Sequence, residues 1–131
     1  MAKQSLRKFV APEVVFGAGA RNQAGKYARN LGAKNVLIVS DPGVISAGWL
    51  AETVSSLDEY DVSHSVFSNI SPNPRSREVM AGAEAYSAYG CDAIIGLGGG
   101  SPMDCAKGIG IVSTNGGNVL RFEGVDQIKV P

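Results

Sequence analysis

Three times along this 131-residue chain, a short run rich in β-branched residues gives way to a polar residue followed by proline, and then to a stretch with helical spacing. The first unit is Asn35–Ser40, then Asp41-Pro42, then a segment in which Ile45, Trp49, Val54 and Leu57 can share one face. The second is Val62–Phe67, the loop Asn69-Ile70-Ser71-Pro72-Asn73-Pro74, and Arg75–Tyr89 with Val79, Ala83 and Tyr86 at helical spacing. The third is Ala93–Leu97, the triplet Gly98-Gly99-Gly100, Ser101-Pro102, and Met103–Val112. Strands alternating with helices of ~10–15 residues build a parallel sheet with helices on its faces. Strands this uniformly apolar suit burial on both sides. The predicted fold class is therefore α/β: an open, doubly wound, Rossmann-like and mainly parallel sheet in a single domain. Ahead of the repeats, Phe9–Phe16 reads as two short extended pieces broken at Pro12, followed by a helix over about Arg21–Asn30; behind them, Val119–Phe122 reads as one more short strand.

Composition excludes several alternatives. Hydrophobic residues make up 44% of the chain and charged ones 18%, the reverse of a disordered segment. Twelve basic residues balance twelve acidic ones, which leaves no electrostatic footprint for nucleic acid or an anionic membrane. The apolar runs, such as Val36-Leu37-Ile38-Val39, fall far short of the ~20 residues needed to cross a bilayer. Cys91 and Cys105 stand apart without the spacing of a redox or zinc motif, and the amino terminus lacks a signal-peptide core. Free thiols of that kind point to a reducing, cytoplasmic location.

The three polar-proline pairs, Asp41-Pro42, Asn73-Pro74 and Ser101-Pro102, each fit a helix N-cap with proline at the first helical position. Their plain reading is structural, a cap stabilising its helix by ~1 kcal/mol. In a parallel sheet, however, all three fall at the carboxyl edge, where ligands of open α/β sheets bind against helix N-termini. The third junction is the sharpest. Glycines 98, 99 and 100 let main-chain amides close on a phosphate, and the helix start favours its negative charge. A diphosphate suits this turn, although it is neither a strict GxGxxG nor a P-loop, and Lys107 comes too late for the latter.

Asp104 has two readings: a capping-box partner of Ser101, with Lys107 at i+3, or a carboxylate beside the phosphate site acting through water or a cation. A second glycine pair, Gly17 and Gly19, also precedes a helix, but Asn22 stands where a third glycine belongs. That turn reads as structural, yet Asp41 follows ~20 residues later, where a ribose-binding acid belongs. A carboxylate at that place repels a 2′-phosphate, which favours NAD over NADP. His64 sits in an alternating strand with no acidic or cysteine neighbour at metal-ligand spacing, and no Ser-His-Asp set, HExxH or paired-carboxylate motif is present. The chain is equipped to hold a nucleotide rather than to transform a substrate.

Phe16-Gly17-Ala18-Gly19-Ala20-Arg21, Ser40-Asp41-Pro42-Gly43, Pro72-Asn73-Pro74 and Gly98-Gly99-Gly100-Ser101-Pro102-x-Asp104-x-x-Lys107 together resemble the iron-containing (group III) alcohol dehydrogenases, as do Gly108-Ile109-Gly110 and Phe122-Glu123-Gly124. The resemblance implies NAD(P)-dependent oxidation of a primary alcohol or diol, or reduction of the aldehyde. It implies that Asp41 touches the adenosine ribose, that Asn73 lies near the nicotinamide half, and that Gly98, Gly99, Gly100 and Ser101 form the diphosphate turn. Asp104 and Lys107 would line the cleft near the cofactor.

Family members are longer, and a mostly helical second domain supplies their divalent metal site, iron or zinc, from one Asp and three His. The one histidine here, His64, lies outside that motif. Residues 1–131 are accordingly expected to form an incomplete N-terminal dinucleotide-binding domain, with no catalytic or metal-binding residue of its own and no dehydrogenase activity alone. The competing expectation is a non-enzymatic truncated homologue that binds a nucleotide or a partner through an exposed sheet edge. The resemblance further implies a homo-oligomer, at least a dimer, and a small alcohol or aldehyde as substrate of the complete enzyme.

Overall fold

The computed structural model describes residues 13–15, 20–70, 76–113 and 118–122. Its elements in chain order are β1 (Glu13–Val15), a 3-10 turn (Ala20–Gln23) running into α1 (Ala24–Asn30), β2 (Asn35–Val39), α2 (Pro42–Ser46), α3 (Trp49–Glu59), β3 (Ser63–Phe67), α4 (Ser76–Ala88), β4 (Ala93–Leu97), α5 (Gly100–Ser113) and β5 (Asn118–Phe122). The five strands form one sheet in the order β1-β5-β4-β2-β3, and every pairing is parallel. Ile38 of β2 is in register with Ile95 on one side and Val66 on the other.

Alternation along the strands divides the apolar residues between two cores. Val36, Ile38, Ala93, Ile95 and Leu97 pack with Ala24, Ala28 and Leu57 on the face covered by α1 and α3. Leu37, Val39 and Ile94 pack with Tyr86, Cys105, Ala106 and Ile109 on the face covered by α4 and α5. Full burial of a Leu, Ile or Val side chain contributes ~1.5–3 kcal/mol, so both faces of β2 and β4 drive folding. The expected doubly wound α/β architecture is the one observed.

Two differences from the sequence reading have local causes. The segment after Asp41-Pro42 is not one helix: it breaks at Gly48, whose φ of +91° ends α2 and lets α3 start on a new axis. The expected helix over Arg21–Asn30 begins as a 3-10 turn and becomes α-helical only at Ala24. Phe9–Pro12, Phe16, Gly17 and Gly19 lie outside the described residues.

At the amino edge of the sheet, Asp92 fastens β4 to the start of β2. Its carboxylate accepts from the amides of Lys34 and Asn35 at 3.0–3.1 Å, and the Asp92 amide donates to the Asn35 carbonyl at 2.8 Å. No helix among the described residues is long and apolar enough to cross a membrane.

Candidate functional site

The strands β2 and β4 are neighbours, but the chain leaving β2 turns to the α1/α3 face while the chain leaving β4 turns to the α4/α5 face. Their carboxyl ends therefore open a crevice between diverging connections, the place where open α/β sheets bind ligands. The residues that line it come from the first and third of the repeated units.

On the β2 side, Ser40 is wholly buried. Its amide donates to the Phe67 carbonyl at 3.1 Å and its hydroxyl to the Leu97 carbonyl at 3.0 Å. Asp41 follows in extended conformation (φ −124°, ψ 164°), and its Oδ1 accepts from the Val44 amide at 2.9 Å. With Pro42 at the first helical position, the N-cap reading of this pair is observed. The other carboxylate oxygen, Oδ2, faces the neighbouring connection: it stands 3.7 Å from where a Cβ on Gly98 would be.

On the β4 side, Gly98 adopts φ +132°, which L side chains rarely reach. Space forbids a side chain as well, since a Cβ there would lie 2.9 Å from Val44 Cγ2 and 3.0 Å from Pro102 Cγ. Gly99 and Gly100 differ: none of the described residues stands within 4 Å of the place of a Cβ at either, and both are exposed. The bare backbone of the turn thus faces open space. No acidic residue occupies the first turn of α5 to oppose an anion.

The helix α5 begins earlier than its sequence suggests. Met103 N donates to the Gly99 carbonyl at 3.2 Å, so Gly100 is the first helical residue and Ser101 the second. Ser101 is therefore not the N-cap, and Ser101-x-x-Asp104 is not a capping box. A glycine can end a strand connection and cap a helix at once, and a proline within the first turn sacrifices no helical hydrogen bond. Asp104 and Lys107 both lie on the exposed side of α5, because Pro102, Met103, Cys105, Ala106, Ile109 and Gly110 form its buried side. Lys107 sits ~10 Å along the axis from the helix start.

The structure thus brings Asp41, Gly98, Gly99, Gly100 and Ser101 to one crevice and spaces Asp104 and Lys107 outward along α5. Asn73 lies outside the described residues. The sequence gives Ser40 a place in the Ser40-Asp41-Pro42-Gly43 motif but no role, and does not mark Val44. A serine closing an otherwise apolar, buried strand was the available signal for the first, and nothing local marked the second.

Tyr86, Cys91 and Cys105 lie away from the crevice, in and around the α4/α5 core. Burial foremost pushes the Tyr86 hydroxyl up to about 12, with the charges of Asp92 and Cys91 adding to it. Burial and then Asp92 push the Cys91 thiol up to about 11, and burial and then Glu78 do the same for Cys105. Both cysteines are free thiols held in their unreactive protonated form.

Among the described residues, no three His, Cys, Asp or Glu side chains gather where they could hold a metal ion. His64, on the edge strand, has its Nδ1 3.9 Å from the Asp58 carboxylate and no third partner of that kind. These residues do not fit a divalent metal.

The sheet order, the switch point and the glycine turn define a doubly wound domain of the Rossmann-like class. The chain belongs to the iron-containing alcohol dehydrogenase family, whose model matches residues 11–131. It is 38% identical over 117 residues to alcohol dehydrogenase 4 of Schizosaccharomyces pombe, covering 89% of this chain and 28% of that protein. It is 34% identical over 123 residues to the NAD-dependent methanol dehydrogenase of Bacillus methanolicus, covering 94% and 32%. The crystal structure of a 1,3-propanediol oxidoreductase superposes with a TM-score of 0.74 at 36% identity, over 82% of this chain and 28% of that one. The chain spans about a third of the length of these relatives or less, matching their amino-terminal part.

Proposed function

We propose that residues 1–131 are the N-terminal dinucleotide-binding domain of a metal-dependent alcohol dehydrogenase, with NAD as its cofactor and a primary alcohol or diol as substrate of the complete enzyme. The observation that carries the proposal is the convergence of the Asp41 carboxylate and the open Gly99-Gly100 backbone on adjacent strand ends at the switch point. Both halves of a dinucleotide's polar requirement are met there by different means. The main-chain amides of Gly99, Gly100 and Ser101 at the start of α5 donate to the pyrophosphate, with the helix dipole behind them. Asp41 accepts from the ribose hydroxyls through Oδ2 while Oδ1 remains bound to the Val44 amide.

Gly98 keeps its role by being small: at φ +132° and close to Val44 and Pro102, its position leaves no room for a side chain. Asn73 is assigned to the nicotinamide side, and Asp104 and Lys107 to the outer wall of the cleft along α5. Bound NAD supplies the hydride acceptor for alcohol oxidation. The metal, iron or zinc, is assigned to the helical second domain of the complete enzyme. A cytoplasmic homo-oligomer is the expected setting.

Calorimetric titration of the 131-residue chain with NAD and NADP tests this reading. Saturable uptake of NAD in preference to NADP, without alcohol turnover, is expected. Folded protein that takes up neither nucleotide contradicts it.

A further inference from the structure

Ser40 is a wholly buried polar side chain at the carboxyl end of β2, and its two hydrogen bonds run to the last carbonyls of both neighbouring strands, β3 and β4. The Phe67 bond through the amide continues the ladder and needs no particular side chain. The Leu97 bond through the hydroxyl is different. It is made by a side chain, and its acceptor belongs to the peptide that joins Leu97 to Gly98.

A peptide unit is planar, so fixing the Leu97 carbonyl also fixes the direction of the Gly98 amide across the same plane. That plane leads into Gly98 at φ +132°, a conformation that glycine reaches but does not choose strongly over its alternatives. Val44 and Pro102 limit the turn sterically from one side, and the Ser40 hydroxyl limits it from within.

We propose that Ser40 is a positioning residue for the pyrophosphate turn: its hydroxyl, bound to the Leu97 carbonyl, orients the Leu97–Gly98 peptide and so presets the amides of the glycine triplet. The proposal rests on the reading of that turn as the pyrophosphate site. It separates Ser40 from its neighbour Asp41, since one serves the phosphates and the other the ribose.

The test compares wild type, Ser40→Ala and Ser40→Thr in the 131-residue chain, titrated with NAD, ADP and adenosine. Ser40→Ala is expected to weaken NAD and ADP roughly tenfold, the scale of one preorganising hydrogen bond, and to leave adenosine within about twofold of wild type. Ser40→Thr, which keeps the hydroxyl, is expected to restore NAD binding. In the unliganded protein, the amide resonances of Gly98 and Gly99 shift in Ser40→Ala and return in Ser40→Thr. A purely structural role would lower the melting temperature and affect all three ligands alike, and that result overturns the proposal. So does a folded Ser40→Ala that binds NAD as wild type does. If Ser40→Ala does not fold, Ser40→Cys carries the comparison, with its weaker donor expected to give partial loss for NAD and ADP only. Wild type that binds no NAD sinks the nucleotide reading itself, whereas wild-type uptake with an unaffected Ser40→Ala sinks only the role of Ser40.

Discussion

The Gly25 amide donates to the Ser56 hydroxyl at 2.8 Å, and a methyl group placed on Gly25 would collide with the Ser56 carbonyl oxygen. The same hydroxyl donates to the Asn22 carbonyl at 2.9 Å. One serine of α3 thus satisfies an amide in the first turn of α1, which has no side-chain cap of its own. The two helices meet backbone against side chain, and together they cover one face of β2.

The contact predicts a strong steric effect. Gly25→Ala forces α1 away from α3, and Tyr60, whose Cδ1 would lie 2.9 Å from the new group, blocks relaxation on that side. Overpacking of this kind costs ~1–3 kcal/mol, and main-chain atoms yield least, so the upper end is expected. Urea denaturation of Gly25→Ala against wild type measures it. Ser56→Ala, which removes only the hydrogen bonds, is expected to lose about 1 kcal/mol.

Asp92 offers a control far from the crevice. It sits at the amino edge of the sheet and binds the Lys34 and Asn35 amides, while the switch point lies at the carboxyl edge. Asp92→Ala is expected to cost about 1.5–2 kcal/mol, the lower part of the range for bonds to a charged acceptor because the group is exposed. NAD affinity of the folded variant is expected to match wild type. A stability loss coupled to a binding loss would show that the two edges of the sheet do not act independently.

Stability should fall at alkaline pH. Tyr86, Cys91 and Cys105 are neutral acids whose folded pKa values lie above their ordinary ones, at about 12, about 11 and about 11 against 10.0, 9.0 and 9.0. Between those values the unfolded chain releases protons that the folded chain still holds. Their stabilising contribution is therefore complete below pH ~9 and is lost as pH rises towards ~12. Urea midpoints from pH 7.5 to 11 follow the loss. Cys105→Ala is expected to flatten the decline relative to wild type, and an unchanged slope would remove Cys105 from the explanation.

Much of this architecture is legible in the chain because its repeats carry their own punctuation. Ala93–Leu97 has the same bounds in sequence and structure, since an apolar run between Asp92 and a glycine turn has few alternatives. The two-sided burial of β2 follows from a strand with no polar residue between Val36 and Val39. Other features depend on tertiary contact and leave no local trace. The break at Gly48 is hidden because Ile45, Trp49 and Leu57 still satisfy a helical period across it. The start of α5 at Gly100 is hidden because glycine favours a loop and Ser-Pro resembles a cap; only the Met103 bond to Gly99 decides it. The approach of Asp41 to Gly98 joins residues far apart in sequence, and only the parallel pairing of β2 with β4 brings them together.

Asp41 is asked to do two things, and two substitutions separate them. Oδ1 caps α2 by accepting from Val44 N, whereas Oδ2 faces the glycine turn, where the ribose is assigned. Asp41→Asn keeps a good cap but removes the charge, so stability is expected to stay within ~0.5 kcal/mol of wild type. Without the negative charge, a 2′-phosphate no longer meets repulsion, and the preference for NAD over NADP is expected to shrink by roughly tenfold or more, the scale of a lost like-charge penalty at a partly exposed site. Asp41→Ala loses the cap as well and is expected to cost ~1 kcal/mol while weakening NAD. Paired calorimetric titrations with NAD and NADP, beside urea curves for each variant, separate these effects. If Asp41→Asn leaves the NAD to NADP ratio unchanged, the carboxylate does not meet the ribose, and its function ends with the cap of α2.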